Sequence, residues 1–165
     1  MINIDRMTME DVEQVLLLER TCFGEGWTST PFDRELSRED CSYFLAKENN
    51  NLIGYSGSWL ILEELHVIIM AVHPDYRRKK IGQKLLIELI NDGLKNNAKW
   101  VTLEVKVTNM EAQKLYEKFG FSVKGRRKNY YQQDRQDALI MWTEDIGTPE
   151  YQEKLSTIEN ELMRV

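Results

Sequence analysis

Residues 65–107 constrain the fold more than any other part of the chain. The run Leu65-His66-Val67-Ile68-Ile69-Met70-Ala71-Val72 is apolar enough for a buried strand. His73-Pro74-Asp75 ends it, and the cationic block Arg77-Arg78-Lys79-Lys80 follows at once. Residues 81–96 then repeat with helical spacing, with Leu85, Leu86, Leu89 and Ile90 on one face. Residues 100–107 alternate, with Val101, Leu103, Val105 and Val107 on one side and Thr102, Glu104 and Lys106 on the other. A buried strand, a basic loop, a helix and a second strand in that order read as the centre of an α/β domain.

The loop carries chemistry. Amides at a helix N-terminus lack intrahelical partners and lie at the positive end of the dipole, so they bind anions well. Proteins favour acids at that place, and four cations there point instead to something negative that binds. By charge alone the run also reads as a solvated face, and both readings stay open. The spacing is neither G-x-x-x-x-G-K-[ST] nor G-x-G-x-x-G, which argues against a P-loop or a dinucleotide-binding fingerprint.

The flanking sequence extends the pattern on both sides. Residues 2–7 read as a strand, and Thr8 with Asp11 opens a helix that runs to about Phe23. Pro31 starts a second, short helix. Residues 42–47 and 51–62 read as strands joined by an Asn-rich turn. Residues 109–119 form a helix closed by Gly120, with Leu115 and Phe119 at core spacing and Tyr116 turned off the core face. Residues 121–131 and 137–142 read as a final antiparallel pair. The resulting order is β-α-α-β-β-β-α-β-α-β-β. After Gly147, Tyr151, Leu155, Ile158 and Leu162 mark a narrow helical stripe. That stripe either packs on the parent domain or meets a partner. The expected division is a domain at 1–147 and a helical tail at 148–165.

Composition narrows the class. The chain has 165 residues, long enough to bury a core without staples. Its 22 Lys+Arg against 27 Asp+Glu give a net charge of −5, which argues against a general nucleic-acid binder. Four Trp, seven Tyr and five Phe supply burial that a disordered chain lacks. Cys22 and Cys41 have no C-x-x-C spacing, and with the two His they form no zinc pattern, so they read as free thiols in a reducing compartment. The start is too short and too charged for a signal peptide, and the apolar run at 65–72 is far below the ~20 residues of a membrane span. A cytoplasmic protein is expected, a monomer or weak dimer with neither membrane nor nucleic-acid partner and with no metal.

Taken alone, Glu104 reads as a solvated strand residue and Tyr116 as a helix-surface aromatic. Three ordered blocks change their weight. V-H-P-D-Y-R-R-K-K-I-G, L-E-V-K-V-T-N and A-Q-K-L-Y-E-K-F-G-F together resemble the GCN5-related N-acetyltransferase superfamily over about residues 2–142. The resemblance implies a single α/β domain with a mixed, mostly antiparallel sheet flanked by helices. More narrowly, Cys22-Phe23-Gly24-Glu25-Gly26-Trp27-Thr28, Arg126-Arg127-Lys128-Asn129-Tyr130-Tyr131 and Asp137-Ala138-Leu139-Ile140-Met141 resemble the bacterial ribosomal-protein-alanine N-acetyltransferases. Two departures stand out. Lys80 occupies the first glycine of the superfamily's Q/R-x-x-G-x-G/A loop, and Gly26 stands where proline often precedes the tryptophan.

What the resemblance implies is an acetyl-CoA-dependent N-acetyltransferase acting on the N-terminal amine of a protein, the N-terminal alanine of a small-subunit ribosomal protein. It assigns the pyrophosphate of CoA to Arg77, Arg78, Lys79, Lys80, Ile81, Gly82 and Gln83. The pantetheine arm falls to the backbone of Met70, Ala71 and Val72, with Asn109 nearby. Glu104 corresponds to the general base and Tyr116 to the general acid, while a backbone N–H of the Met70 strand stabilises the oxyanion. Phe23, Trp27, Tyr130 and Tyr131 would line the peptide groove, and Glu25 and Asp137 would favour a basic peptide. The attacking amine must be neutral. At pH 7 that costs about 1 kcal/mol for an α-amine against about 5 kcal/mol for lysine, which makes a chain terminus the easier acceptor. A same-fold enzyme for protein lysine or a small amine, and a non-catalytic CoA-binding module, are the alternatives.

Overall fold

Seven strands and five helices follow one another in a computed structural model that describes residues 1–164; Val165, the last residue of the expected tail, lies outside the described residues. The strands are β1 (Ile2–Arg6), β2 (Cys41–Glu48), β3 (Asn51–Ile61), β4 (Glu64–Val72), β5 (Trp100–Lys106), β6 (Ser122–Arg127) and β7 (Ala138–Trp142). The helices are α1 (Val12–Phe23), α2 (Phe32–Glu35), α3 (Ile81–Lys95), α4 (Met110–Lys118) and α5 (Pro149–Met163). One sheet of order β1-β2-β3-β4-β5-β7-β6 holds all seven strands. Every pairing is antiparallel except β4 with β5.

The helical period read in residues 81–96 becomes α3, whose Ile81, Leu85, Leu86, Leu89 and Ile90 are all 0–1% exposed against the sheet. Each such side chain contributes about 1.5–3 kcal/mol on burial, so this helix anchors the larger core. The opposite face carries a second core, where Val15, Leu18 and Phe32 from α1 and α2 meet Tyr43, Leu45 and Tyr55 of the sheet. A Cβ at Gly57 would collide with the Tyr43 ring, so the glycine lets that ring lie flat on β3.

The parallel pair is short and decides where a site can form. β4 and β5 are in register only at Glu64, Leu65 and His66 opposite Trp100, Val101 and Thr102. Beyond those pairs the strands part. On its other side β4 slips register at Gly57/Ser58, which leaves Ile68 without a cross-strand partner. The far half of β4 thus presents an unpaired backbone edge toward β5.

Two expectations need correction, and one open alternative is decided. The strand expected at 121–131 ends at Arg127, and a long irregular loop follows it. Tyr116 does not turn off the core face; it is 8% exposed and packs on Phe121 with ring centroids 5.6 Å apart. The apolar stripe after Gly147 packs on the parent domain, because Tyr151, Leu155, Ile158 and Leu162 are all buried in the α3-side core. Tyr151 also donates its hydroxyl to the Phe119 carbonyl at 2.8 Å. Among the described residues no helix is long and apolar enough to cross a membrane.

Candidate active site

The parting of β4 from β5 opens a groove of about 610 Å³ between the free edge of β4, the basic loop, the start of α3 and the inner side of α4. Met70, Ala71 and Val72 form its floor along the edge. Gly82 sits where a Cβ would come within 3.3 Å of Leu115 and 3.7 Å of Met70, so any side chain there would fill the cradle.

The loop is built by local backbone rules. His73 Nδ1 accepts the Asp75 N–H at 3.1 Å and starts a 3-10 turn over Pro74–Tyr76. Arg78 and Lys80 then adopt left-handed backbones, φ 64° and 63°. These turns split the cationic block. Arg77, Arg78 and Lys80 line the groove, whereas Lys79 is turned back over the Tyr76 ring, its Nζ 4.9 Å from the centroid. Lys80 is the N-cap of α3 and makes no side-chain cap, and the first turn of α3 contains no acid. The amides of Ile81, Gly82 and Gln83 are therefore available to an anion at a positive helix end.

Tyr116 enters the groove from α4. Asn109 caps this helix by accepting the Ala112 N–H at 3.1 Å. Gln113 donates to the Lys106 and Val107 carbonyls at 3.1 and 3.0 Å, tying α4 to the end of β5. Burial pushes the Tyr116 phenol up to about 12. Lys114 and Lys118 add two cations to the groove. Lys118 bonds Gln83 at 3.0 Å and Glu161 at 3.3 Å, joining α4 to α3 and α5.

Glu104 lies on β5 outside the lining of that groove, with its side chain 32% exposed and Arg127 Nε 3.6 Å from Oε1. Tyr131 sits close to it: burial above all, and then the neighbouring Tyr130 and Glu104, push the Tyr131 phenol up to about 12. The Tyr130 and Tyr131 rings meet edge to face at 5.1 Å, with Arg127 over one ring and Lys106 over the other. On the other side, Phe23 lines the groove and stacks on Trp27 at 4.4 Å. Gln133 Nε2 reaches the Gly26 carbonyl at 3.4 Å, so the Trp27 segment and the β6–β7 loop touch.

The predicted residues thus fall into two groups. Met70, Ala71, Val72, Arg77, Arg78, Lys80, Ile81, Gly82, Gln83, Asn109, Tyr116 and Phe23 share the groove, and Lys79 does not. Glu104, Tyr131 and Tyr130 form a second cluster around Arg127. Asp137 is not free for a peptide: it accepts from Arg126 at 2.6 Å and from the Asn129 amide at 2.9 Å, and these bonds hold its carboxyl below the usual range. Glu25 is exposed. Sequence reasoning missed Lys114 and Lys118, although their i, i+4 spacing beside Leu115 was a usable signal. Among the described residues no group of three or more His, Cys, Asp or Glu could hold a metal.

The splayed parallel pair, with an anion-ready helix start beside it, makes a cleft suited to an extended ligand that carries phosphates. The chain belongs to the acetyltransferase (GNAT) family, whose model matches residues 12–121. It is 35% identical over 140 residues to a Bacillus subtilis (strain 168) protein provisionally named as the [ribosomal protein bS18]-alanine N-acetyltransferase, covering 84% of this chain and 93% of that one. It is 32% identical over 154 residues to the N-alpha-acetyltransferase RimI of Mycobacterium tuberculosis (strain ATCC 25618 / H37Rv), covering 90% and 95%. The crystal structure of the ribosomal-protein-S18-alanine N-acetyltransferase from Escherichia coli superimposes with a TM-score of 0.79 at 29% identity, over 87% of this chain and 93% of that one.

Proposed function

We propose that this acetyltransferase moves the acetyl group of acetyl-CoA to the N-terminal α-amine of a protein, the N-terminal alanine of ribosomal protein bS18. The observation that carries the reading is one continuous groove lined from the cationic, acid-free start of α3 to Tyr116. The substrate class follows from the relatives named for that reaction, which align over most of this chain.

Acetyl-CoA supplies an activated acetyl thioester. The residues fit it: Arg77, Arg78 and Lys80 with the first α3 amides suit the phosphates, the Gly82 cradle admits a close approach, and the β4 edge can pair with an amide-bearing arm. Glu104 takes a proton from the acceptor's ammonium, directly or through a water, leaving the neutral amine that attacks. Tyr116, kept protonated by burial, would give its proton to the departing sulfur, and the second proton that the attacking nitrogen loses would restore the phenol, so the net proton leaves through Glu104. A β4 amide beyond Ile68 that is not paired with β5 would donate to the thioester oxygen as negative charge develops there. Phe23, Trp27, Tyr130 and Tyr131 enclose the leading residues of the acceptor, in a cytoplasmic enzyme working as a monomer or weak dimer.

The test is a panel of alanine-starting bS18 peptides, peptides with a blocked N-terminus and an internal lysine, and small amines, each with acetyl-CoA and the purified protein. Acetylation of the α-amine peptides, read by mass spectrometry, is the expected result. Turnover of small amines alone overturns the protein-substrate reading, and cofactor binding without any transfer overturns catalysis.

A further inference from the structure

We propose that Glu19 is the positioning residue of the acceptor site: its buried carboxylate fixes residues 24–31, and with them the Trp27 ring, as one wall of the channel that receives the amine-bearing chain end. This rests on the acetyl-transfer reading above.

Glu19 lies on the inner face of α1 and is 0% exposed. A carboxylate so placed is costly unless its lone pairs are used. Here they are. Oε2 accepts from the Tyr55 hydroxyl at 2.7 Å, the Thr30 hydroxyl at 2.6 Å and Trp27 Nε1 at 3.2 Å, while Oε1 accepts the Thr30 N–H at 3.2 Å. Only Tyr55 belongs to the sheet. The other three donors come from the segment between α1 and α2, which has no regular structure of its own.

The other buried carboxylate makes the contrast. Glu35 accepts from Tyr43, Trp59 and Cys41, all on strands that the sheet already holds. Removing it would loosen the core. Glu19 instead holds a segment that is otherwise tied mainly at its ends, by the Gly24 amide on the Arg20 carbonyl and by the Thr30 and Pro31 carbonyls that accept from the start of α2; between them lie only the Trp27-to-Gly24 turn, the stack on Phe23 and the Gln133 contact. Trp27 is gripped at its N–H edge by Glu19 and on its face by Phe23, and Phe23 lines the groove. A ring held at both places stands ready before the acceptor arrives. A mobile one would have to be ordered at every binding event.

The experiment uses the full chain. Glu19→Gln replaces one acceptor with an NH2, so two donors face each other; Trp27→Phe keeps a ring and removes only the Nε1–H. In the free protein, amide hydrogen exchange within 24–31 should speed up at least about tenfold in Glu19→Gln, as expected for losing a hydrogen bond to a charged group, while α3 and β4 keep their protection. The peptide KM should rise about fivefold to tenfold, with kcat within about twofold and the acetyl-CoA Kd unchanged. Trp27→Phe should give a smaller KM rise, and the double variant should be no worse than Glu19→Gln alone. Unchanged exchange in 24–31 overturns the proposal. So does faster exchange across the whole chain, or an acetyl-CoA Kd that weakens in step with KM, since each marks a general structural role. If the wild type acetylates no peptide, the acetyl-transfer reading fails on its own, and the exchange data still decide whether Glu19 anchors the segment.

Discussion

The Arg127 guanidinium reaches across β7 and rests 3.6 Å from the Glu104 carboxylate. The register makes this possible: Arg127 and Lys106 both oppose the small, buried Ala138, so Arg127 can cross β7 at that pair and reach diagonally to Glu104, which itself opposes Ile140. Both partners are partly solvated, and the pair adds less than about 1 kcal/mol to stability. If Glu104 is the base, as proposed above, the consequence is occupancy: a guanidinium stands where the acceptor's ammonium would approach. Glu104→Gln should lower kcat by about 100-fold or more with the acetyl-CoA Kd unchanged by calorimetry. Full activity in that variant removes Glu104 as the base. Arg127→Gln should lower the acceptor KM about twofold to threefold at low salt, and the difference should fade as ionic strength screens the competition. Steady-state kinetics at two salt concentrations measure both.

Tyr116 sets a pH dependence whose sign follows from its burial. Its pKa is raised to about 12, so the hydroxyl remains a proton donor through the neutral and mildly alkaline range. The kcat/KM should rise from pH 6 to 9 with an acceptor amine of pKa about 7.7–8.0, without the loss near pH 10 that an exposed phenol would cause. Tyr116→Phe should keep that profile and turn over more slowly, though less affected than Glu104→Gln. Stability obeys the same linkage. Folded pKa values raised above the unfolded value stabilise the protein below about pH 10, and that contribution is lost as pH climbs through about 12. Tyr131 shares the range, and burial raises Tyr43, Tyr55 and Tyr151 as well. Thermal midpoints should therefore be flat to about pH 10 and fall steeply above it.

Periodicity made α3 and β5 legible, because one buried face per element leaves a single repeat in the sequence. Helix α4 has neighbours on two sides. Leu115 faces Gly82 across the groove while Tyr116 packs on Phe121, so its apolar arc is wider than one stripe and Tyr116 could not be placed from spacing. The Arg127–Glu104 contact depends on a register shift between Val123 and Gly125 in β6, and a one-residue slip would turn Arg127 to the other face. The split of the cationic block had no signal either. It comes from left-handed backbones at Arg78 and Lys80, residue types with no preference for that conformation.

Lys80 stands in the left-handed region that glycine enters freely and lysine enters at a cost of about 1 kcal/mol. Lys80→Gly should therefore stabilise the fold by about 0.5–1 kcal/mol, a rise of roughly 1–4 °C in Tm for a chain of this size. The same change removes a cation from the groove. Acetyl-CoA affinity should weaken and depend less steeply on salt. Calorimetric titration across a salt series, beside a thermal melt, separates the two effects. A less stable variant would show that the loop's path depends on the lysine side chain.

The tail makes the sharpest claim on stability. Tyr151, Leu155, Ile158 and Leu162 bury one face of α5 in the same core as α3, each contributing about 1.5–3 kcal/mol. Asn91 bonds Glu159 at 2.9 Å, and the Tyr151 hydroxyl satisfies the Phe119 carbonyl just where α4 ends. Truncation after Gly147 would expose that face and leave the carbonyl unpaired. The truncated chain should lose most of a typical ~5–15 kcal/mol stability, bind a hydrophobic dye and lose acetyl transfer together with its fold. Tyr151→Phe is the milder probe. It keeps the ring, loses only the hydrogen bond, and should cost about 1 kcal/mol with little change in kcat. A truncated chain that melts like the full one would show that α5 rests on the domain without supporting it.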